Sequence, residues 1–173
     1  MTPILVLVGP PGAGKTSVGR RAAHELGVTF RDTDADIVDA AGKSVADIFV
    51  DDGEPAFRAA EREAVARALA EADGVLSLGG GAVLDEGTRG LLAGHRVVYL
   101  SVGLSDAVHR VGLARDRPVL AMNPRATLRA LLDERRPLYE QVATVTVDTA
   151  GRSPAAIVAD VVAYARRSEE PHP

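Results

Sequence analysis

The sequence predicts a three-layer α/β/α fold built on a five-stranded parallel sheet. Three observations carry this reading. Short apolar runs alternate with helical stretches along the chain, the pattern of strands joined by helical crossovers. The first run, residues 4–8, passes directly into Gly9-Pro10-Pro11-Gly12-Ala13-Gly14-Lys15-Thr16 and then into a helical stretch. No second composition block, internal repeat or linker interrupts the 173 residues. Residues 1–168 therefore read as one domain, followed by a frayed tail at 169–173.

Each element has a local reason. Residues 4–8 (Ile-Leu-Val-Leu-Val) form a buried strand that stops at Gly9. Ser17 to Leu26 follows as a helix with Val18, Ala22 and Leu26 on one face, closed by Gly27. Residues 28–31 make a second strand ending at Asp32-Thr33-Asp34, and a helix begins at Ile37 and ends before Gly42. Ser44, with Asp47 three positions on, caps a short helix to Val50. Glu54 and Pro55 open a long helix through Ala72. Residues 75–78 are the third strand, running into Gly79-Gly80-Gly81. A short helix at 86–92, a fourth strand at 97–100 and a helix at 104–113 come next. The arginine-rich break Ala114-Arg115-Asp116-Arg117-Pro118 precedes a helix at 127–142, which continues despite Pro137. A fifth strand at 144–148 and a closing helix at 154–167 complete the set.

Composition narrows the function classes. Hydrophobic residues make up 46% and charged residues 25% of the chain, an ordinary soluble balance. The net charge of −4 provides no basic surplus for nucleic acid. Cysteine is absent, which excludes disulfides, thiolate metal sites and thiol nucleophiles. The N-terminal apolar run is too short for a signal segment or a membrane span, so a cytoplasmic location with no membrane partner is expected. A monomer is expected.

Residues 9–16 match G-x-x-x-x-G-K-[ST], the loop whose backbone N–H groups cradle phosphate at a helix N-terminus. Gly12, Ala13, Gly14, Lys15, Thr16 and Ser17 are the candidate nucleotide contacts. Lys15 reaches the β- and γ-phosphates, and the Thr16 hydroxyl serves Mg²⁺. A guanine reader N-K-x-D cannot be present, because the lysines are Lys15 and Lys43 and the asparagine is Asn123. The third strand ends in glycines and the fourth in Ser101, so the acidic pair of a mechanical ATPase is missing there. The available carboxylates are Asp32 and Asp34, two apart and so on one side of extended chain. One can serve Mg²⁺ while the other handles a hydroxyl proton. This favours phosphoryl transfer to a small acceptor over hydrolysis coupled to motion. The ligand crevice is expected beyond the carboxyl ends of the strands.

The remaining motifs each carry two readings. Arg58 and Glu61, one helical turn apart, are either a surface ion pair or an anion clamp in which the glutamate orients the guanidinium. Gly79-Gly80-Gly81 is either a flexible turn or a place where backbone closely approaches a ligand. Arg115 and Arg117 lie either in a charged turn or on a lid over the transferring phosphoryl group.

Taken together, residues 9–16, Asp32-Thr33-Asp34, Asp52-Gly53-Glu54 with Phe57-Arg58, Leu78-Gly79-Gly80-Gly81, Arg117-Pro118 and Arg135-Arg136-Pro137-Leu138-Tyr139 resemble the shikimate kinase family. The resemblance covers nearly the whole chain through Pro154. It implies a P-loop kinase with a substrate-binding segment at about 32–61 and a mobile lid at about 112–124. The implied reaction is ATP + shikimate → 3-phosphoshikimate + ADP, in aromatic amino-acid biosynthesis. It also implies shikimate contacts from Asp34, Arg58, Gly80 and Arg135, with Asp34 as base. Gly79, Gly81, Phe49, Phe57 and Glu61 would complete the pocket. Thr16 and Asp32 would serve Mg²⁺, Lys15 and Arg117 the γ-phosphoryl group, and Arg110 and Arg152 the adenine. The R-x-P-L-Y register selects Arg135 over Arg136. The chain departs from the family pattern in Lys-Thr-Ser for Lys-Ser-Thr and in Arg-Pro-Val-Leu for Arg-Pro-Leu-Leu; His24 and His109 have no family role.

Two rival readings accompany this one. A kinase for another small hydroxy acid, such as gluconate, could use the same core. A non-catalytic nucleotide-binding regulator would bind ATP without acceptor-dependent ADP release.

Overall fold

A computed structural model describes residues 2–103, 106–108 and 124–167. Five parallel strands, β1 (Leu5–Val8), β2 (Phe30–Asp32), β3 (Val75–Ser77), β4 (Val97–Ser101) and β5 (Val145–Asp148), form one sheet in the order β2-β3-β1-β4-β5. Val6 is in register with Leu76 on one side and Val97 on the other. The chain leaves β1 toward β2, returns through β3 and then crosses to β4, so the topological switch lies at β1 itself. Ligand sites in open α/β sheets form at that point.

The pleat explains the layers. Alternate side chains of β1 face opposite sides of the sheet, and all four are buried. Leu5 and Leu7 pack with Val18 and Ala22 of α1 (Lys15–Leu26) and with Ile157 and Val161 of the closing helix α7 (Pro154–Arg167). Val6 and Val8 pack with Val65 and Leu69 of α4 (Glu54–Glu71), Leu92 of α5 (Glu86–Leu92) and Tyr139 of α6 (Pro124–Val142). Each fully buried Leu or Val contributes about 1.5–3 kcal/mol to this double-sided core. A smaller cluster of Ile37, Ile48, Phe57 and Ala64 joins α4 to α2 (Thr33–Ala41) and α3 (Val45–Asp51).

Several boundaries move from their sequence expectations. α1 starts at Lys15 because Gly14 adopts the left-handed conformation (φ 88°) that a side chain would disfavour. α6 begins at Pro124, where proline suits a helix's first turn, and carries Pro137 internally. The larger correction concerns Asp32-Thr33-Asp34. These residues are not continuous extended chain: β2 ends at Asp32 and α2 starts at Thr33. Asp32 is the N-cap of α2, and its side chain accepts a hydrogen bond from the Asp34 N–H. The two carboxylates owe their positions to a helix start, not to strand alternation. The predicted 104–113 helix is described only at Asp106–Val108, which is helical. His109, Arg110, Arg115, Arg117 and the lid residues up to Asn123 lie outside the described residues, as do Ser168 and the tail expected at 169–173.

Candidate active site

The phosphate loop leaves the carboxyl end of β1 and feeds α1. The Lys15 side chain folds back over it, with Nζ donating to the Gly9 carbonyl at 2.8 Å and the Pro10 carbonyl at 3.1 Å. Lys15 is nearly buried, whereas Thr16 and Ser17 face solvent at the mouth of the loop. The Thr16 hydroxyl donates to Asp32 Oδ2 at 2.9 Å, while Asp32 Oδ1 accepts from the Asp34 amide at 2.9 Å. A hydroxyl and a carboxylate held side by side next to a phosphate loop fit Mg²⁺, which takes one or two protein ligands and fills its octahedron with water and phosphate.

A second group of charges lies one element away. Arg58, in the first turn of α4, donates from Nη1 to Glu61 Oε1 at 2.8 Å. Its guanidinium stands over the Phe57 ring at 5.2 Å. The Glu61 side chain is only 5% exposed, so this is no surface pair. Burial raises the Glu61 pKa; Arg58 opposes that shift, the charge of Asp34 adds to it, and Arg135 opposes it. Four charged groups from α2, α4 and α6 therefore share one field. Arg135 is buried, and its Nε has no hydrogen-bond partner among the described residues. Arg58 Nε is likewise without a hydrogen bond, with Glu54 Oε1 as a counter-charge at 3.5 Å. Buried guanidinium N–H groups left unpaired are costly and fit an anionic ligand that supplies the missing acceptors.

The electrostatics of Glu61 yield a pH prediction. Between the ordinary carboxylate range and the raised value, the folded chain holds a proton that the unfolded chain has released. The stabilisation is complete below the unfolded pKa and is lost as pH rises through the folded one. Glu61→Gln removes this titration. The melting temperature of the variant relative to wild type should climb as pH rises from about 4 to neutrality. A difference that does not change with pH would exclude Glu61 as the titrating group.

The triglycine segment closes the crevice from the end of β3. A Cβ at Gly79 would stand 2.7 Å from Asp34 Oδ1 and 3.0 Å from Glu61 Oε2. At Gly80 it would meet the Pro11 ring at 2.9 Å, and at Gly81 it would overlap the Arg58 guanidinium. Three glycines thus let the backbone touch the phosphate loop on one side and the charged cluster on the other. The flexible-turn reading does not describe these buried, contact-limited positions.

The other expected residues are placed less uniformly. Phe57 is a core residue of the α2–α3–α4 cluster, and Phe49 packs on it half-buried, with ring centroids 4.8 Å apart. Arg152 follows β5 and is braced by Asp160 at 2.8 Å. Two residues with no role assigned from sequence also touch the site. Thr33, fully buried, accepts from the Gly79 N–H at 3.3 Å, and the Tyr139 hydroxyl donates to the Gly80 carbonyl at 2.5 Å. Tyr139 follows Arg135 by four positions, a spacing that puts both on one face of α6 and could have flagged it.

Comparisons with known proteins show the family and the fold. The family model described as Shikimate kinase matches residues 11–166. A shikimate kinase of Salinispora arenicola is 63% identical over 163 residues, covering 94% of this chain and 98% of that protein. One of Frankia casuarinae is 68% identical over 151 residues, covering 87% of this chain and 67% of the relative. The solved shikimate kinase from Acinetobacter baumannii in complex with shikimate superposes with a TM-score of 0.92 at 33% identity, covering 99% and 96% of the two chains.

Proposed function

The chain belongs to the shikimate kinase family, and on that premise we propose how its residues carry out ATP-dependent phosphorylation of shikimate to 3-phosphoshikimate, a step of aromatic amino-acid (chorismate) biosynthesis. The observation that carries the residue assignment is the meeting, beside the phosphate loop, of Asp34 with two arginines, Arg135 buried and Arg58 partly so, whose buried Nε atoms lack hydrogen-bond partners. Arg58 and Arg135 hold the substrate carboxylate, and Glu61 orients Arg58. Gly79, Gly80 and Gly81 bring backbone to the substrate, with Phe49 and Phe57 behind the pocket wall.

On the nucleotide side, Gly12, Ala13, Gly14, Lys15, Thr16 and Ser17 cradle the phosphates, and Arg110 and Arg152 flank the adenine. Lys15 exchanges its two carbonyl acceptors for phosphate oxygens. Thr16 and Asp32 would hold Mg²⁺, which would supply positive charge against the phosphate oxygens. A substrate hydroxyl oxygen attacks the γ-phosphorus, the bond to the β–γ bridging oxygen breaks, and ADP leaves. Asp34 aligns that hydroxyl and takes its proton. Arg117, from the lid, offsets charge on the transferring group. Catalysis here consists of alignment and charge neutralisation, with no covalent intermediate on the protein. The enzyme acts as a cytoplasmic monomer and has no nucleic-acid partner.

ADP release by purified protein with Mg²⁺-ATP tests the substrate directly. Turnover with shikimate should exceed that with gluconate by at least about a hundredfold, since a polar pocket left with unpaired groups rejects the wrong acceptor strongly. Equal turnover with gluconate would move the assignment to a broader hydroxy-acid kinase. ATP binding without acceptor-dependent release would point to a regulator.

A further inference from the structure

We infer that Thr33 and Tyr139 are positioning residues for this reaction: their hydroxyls clamp the triglycine segment from two sides and leave the N–H groups of Gly80 and Gly81 to the substrate. The inference rests on the proposed pocket and adds the device that shapes it.

A full account of the segment's backbone groups supports it. The Gly79 N–H donates to Thr33 Oγ1 (3.3 Å), and the Gly79 carbonyl accepts from the Ala82 N–H (3.1 Å). The Gly80 carbonyl accepts from Tyr139 Oη, and the Gly81 carbonyl accepts from the Leu84 N–H (3.1 Å). Every carbonyl of the segment is taken. The N–H groups of Gly80 and Gly81 have no partner among the described residues. Buried backbone donors are rarely left this way, so the two N–H groups are available to a ligand oxygen.

Both clamp hydroxyls are themselves fixed. Thr33 is completely buried, and its hydroxyl sits between the Gly79 N–H and the Ser77 carbonyl (3.5 Å). Only a hydroxyl can bridge a donor and an acceptor in this manner. Thr33 also ties the first turn of α2, which carries Asp34, to the end of β3. Tyr139 is 1% exposed, with its ring stacked on Tyr99 at a centroid distance of 5.0 Å. It ties α6, which carries Arg135, to the same segment. Asp34 and Arg135 are thereby referenced to one piece of backbone, which packs in turn on Pro11 of the phosphate loop.

The test compares steady-state kinetics of Thr33→Val, Tyr139→Phe and their combination with wild type, and includes Thr33→Ser and Arg58→Ala. Each single removal of a hydroxyl should lower kcat/KM for shikimate about tenfold, with KM for ATP changed less than about twofold. The combined loss should fall short of the product of the two, because both hydroxyls act on one segment. Thr33→Ser should restore activity to within about threefold of wild type by retaining the bridge. Unchanged kcat/KM in both single variants would overturn the clamp, as would equal damage to the two substrates. So would a Thr33→Val protein that does not fold while Tyr139→Phe folds and keeps wild-type kinetics. Arg58→Ala separates the levels. If it raises KM for shikimate while the hydroxyl variants keep wild-type kcat/KM, the pocket stands and the clamp falls; if it leaves KM unchanged, both fall.

Discussion

Asp34→Asn should lower kcat for shikimate phosphorylation by about a hundredfold or more while KM for ATP stays within about twofold of wild type. The asparagine keeps the size and most hydrogen bonds of the carboxylate and removes its proton affinity. Its carboxylate lies in the first turn of α2, one residue from the Thr33 anchor and two from the Asp32 cap. The substitution should therefore leave the helix start and the phosphate loop in place. Single-turnover ADP formation at saturating ATP measures the chemical step without product release. A variant retaining more than a third of wild-type kcat would show that Asp34 positions the hydroxyl without taking its proton.

Gly79→Ala should be nearly as damaging for a different reason. Its methyl would fall 2.7 Å from Asp34 Oδ1, well inside van der Waals contact, and 3.0 Å from Glu61 Oε2, a tight approach. The Asp34 backbone is fixed by the Asp32 cap, so relief must come from its carboxylate, and Glu61 is tethered to Arg58 through Oε1. Displacements of about 1 Å at a reacting centre cost about a hundredfold. kcat/KM for shikimate should fall by about that factor, with ATP affinity, read by nucleotide titration, changing far less. An equal loss of ATP affinity would mean that the strain passes through to the phosphate loop.

The fold was legible because its signals are local and redundant. The apolar run ending at Gly9 can be little other than a buried strand, and the observed β1 lies at the centre of the sheet. Lys15 and Thr16 were placed by the loop motif alone. The pairing of Arg58 with Glu61 followed from helical spacing, but its burial did not. Spacing says which side chains meet, and only the packing of α2 and the triglycine segment against α4 says that water is excluded. The Asp32-Thr33-Asp34 geometry was misjudged because a strand end and a helix start look alike over three residues. The Thr33–Gly79 and Tyr139–Gly80 bonds join residues 46 and 59 positions apart. No periodicity within one element can encode such pairs.

The small cluster of Ile37, Ile48, Phe57 and Ala64 has a consequence for how such an enzyme can change. It is separate from the two larger clusters that sandwich the sheet. The scaffold is therefore partly modular: α4 packs Val65 and Leu69 toward the sheet and Phe57 and Ala64 toward α2 and α3, so the two sets of packing constraints meet on different residues of one helix. Volume changes in a close-packed interior are felt mainly by immediate neighbours. Repacking those four positions can reshape the acceptor side while the nucleotide side keeps its footing, so the choice of acceptor can drift independently of the grip on ATP.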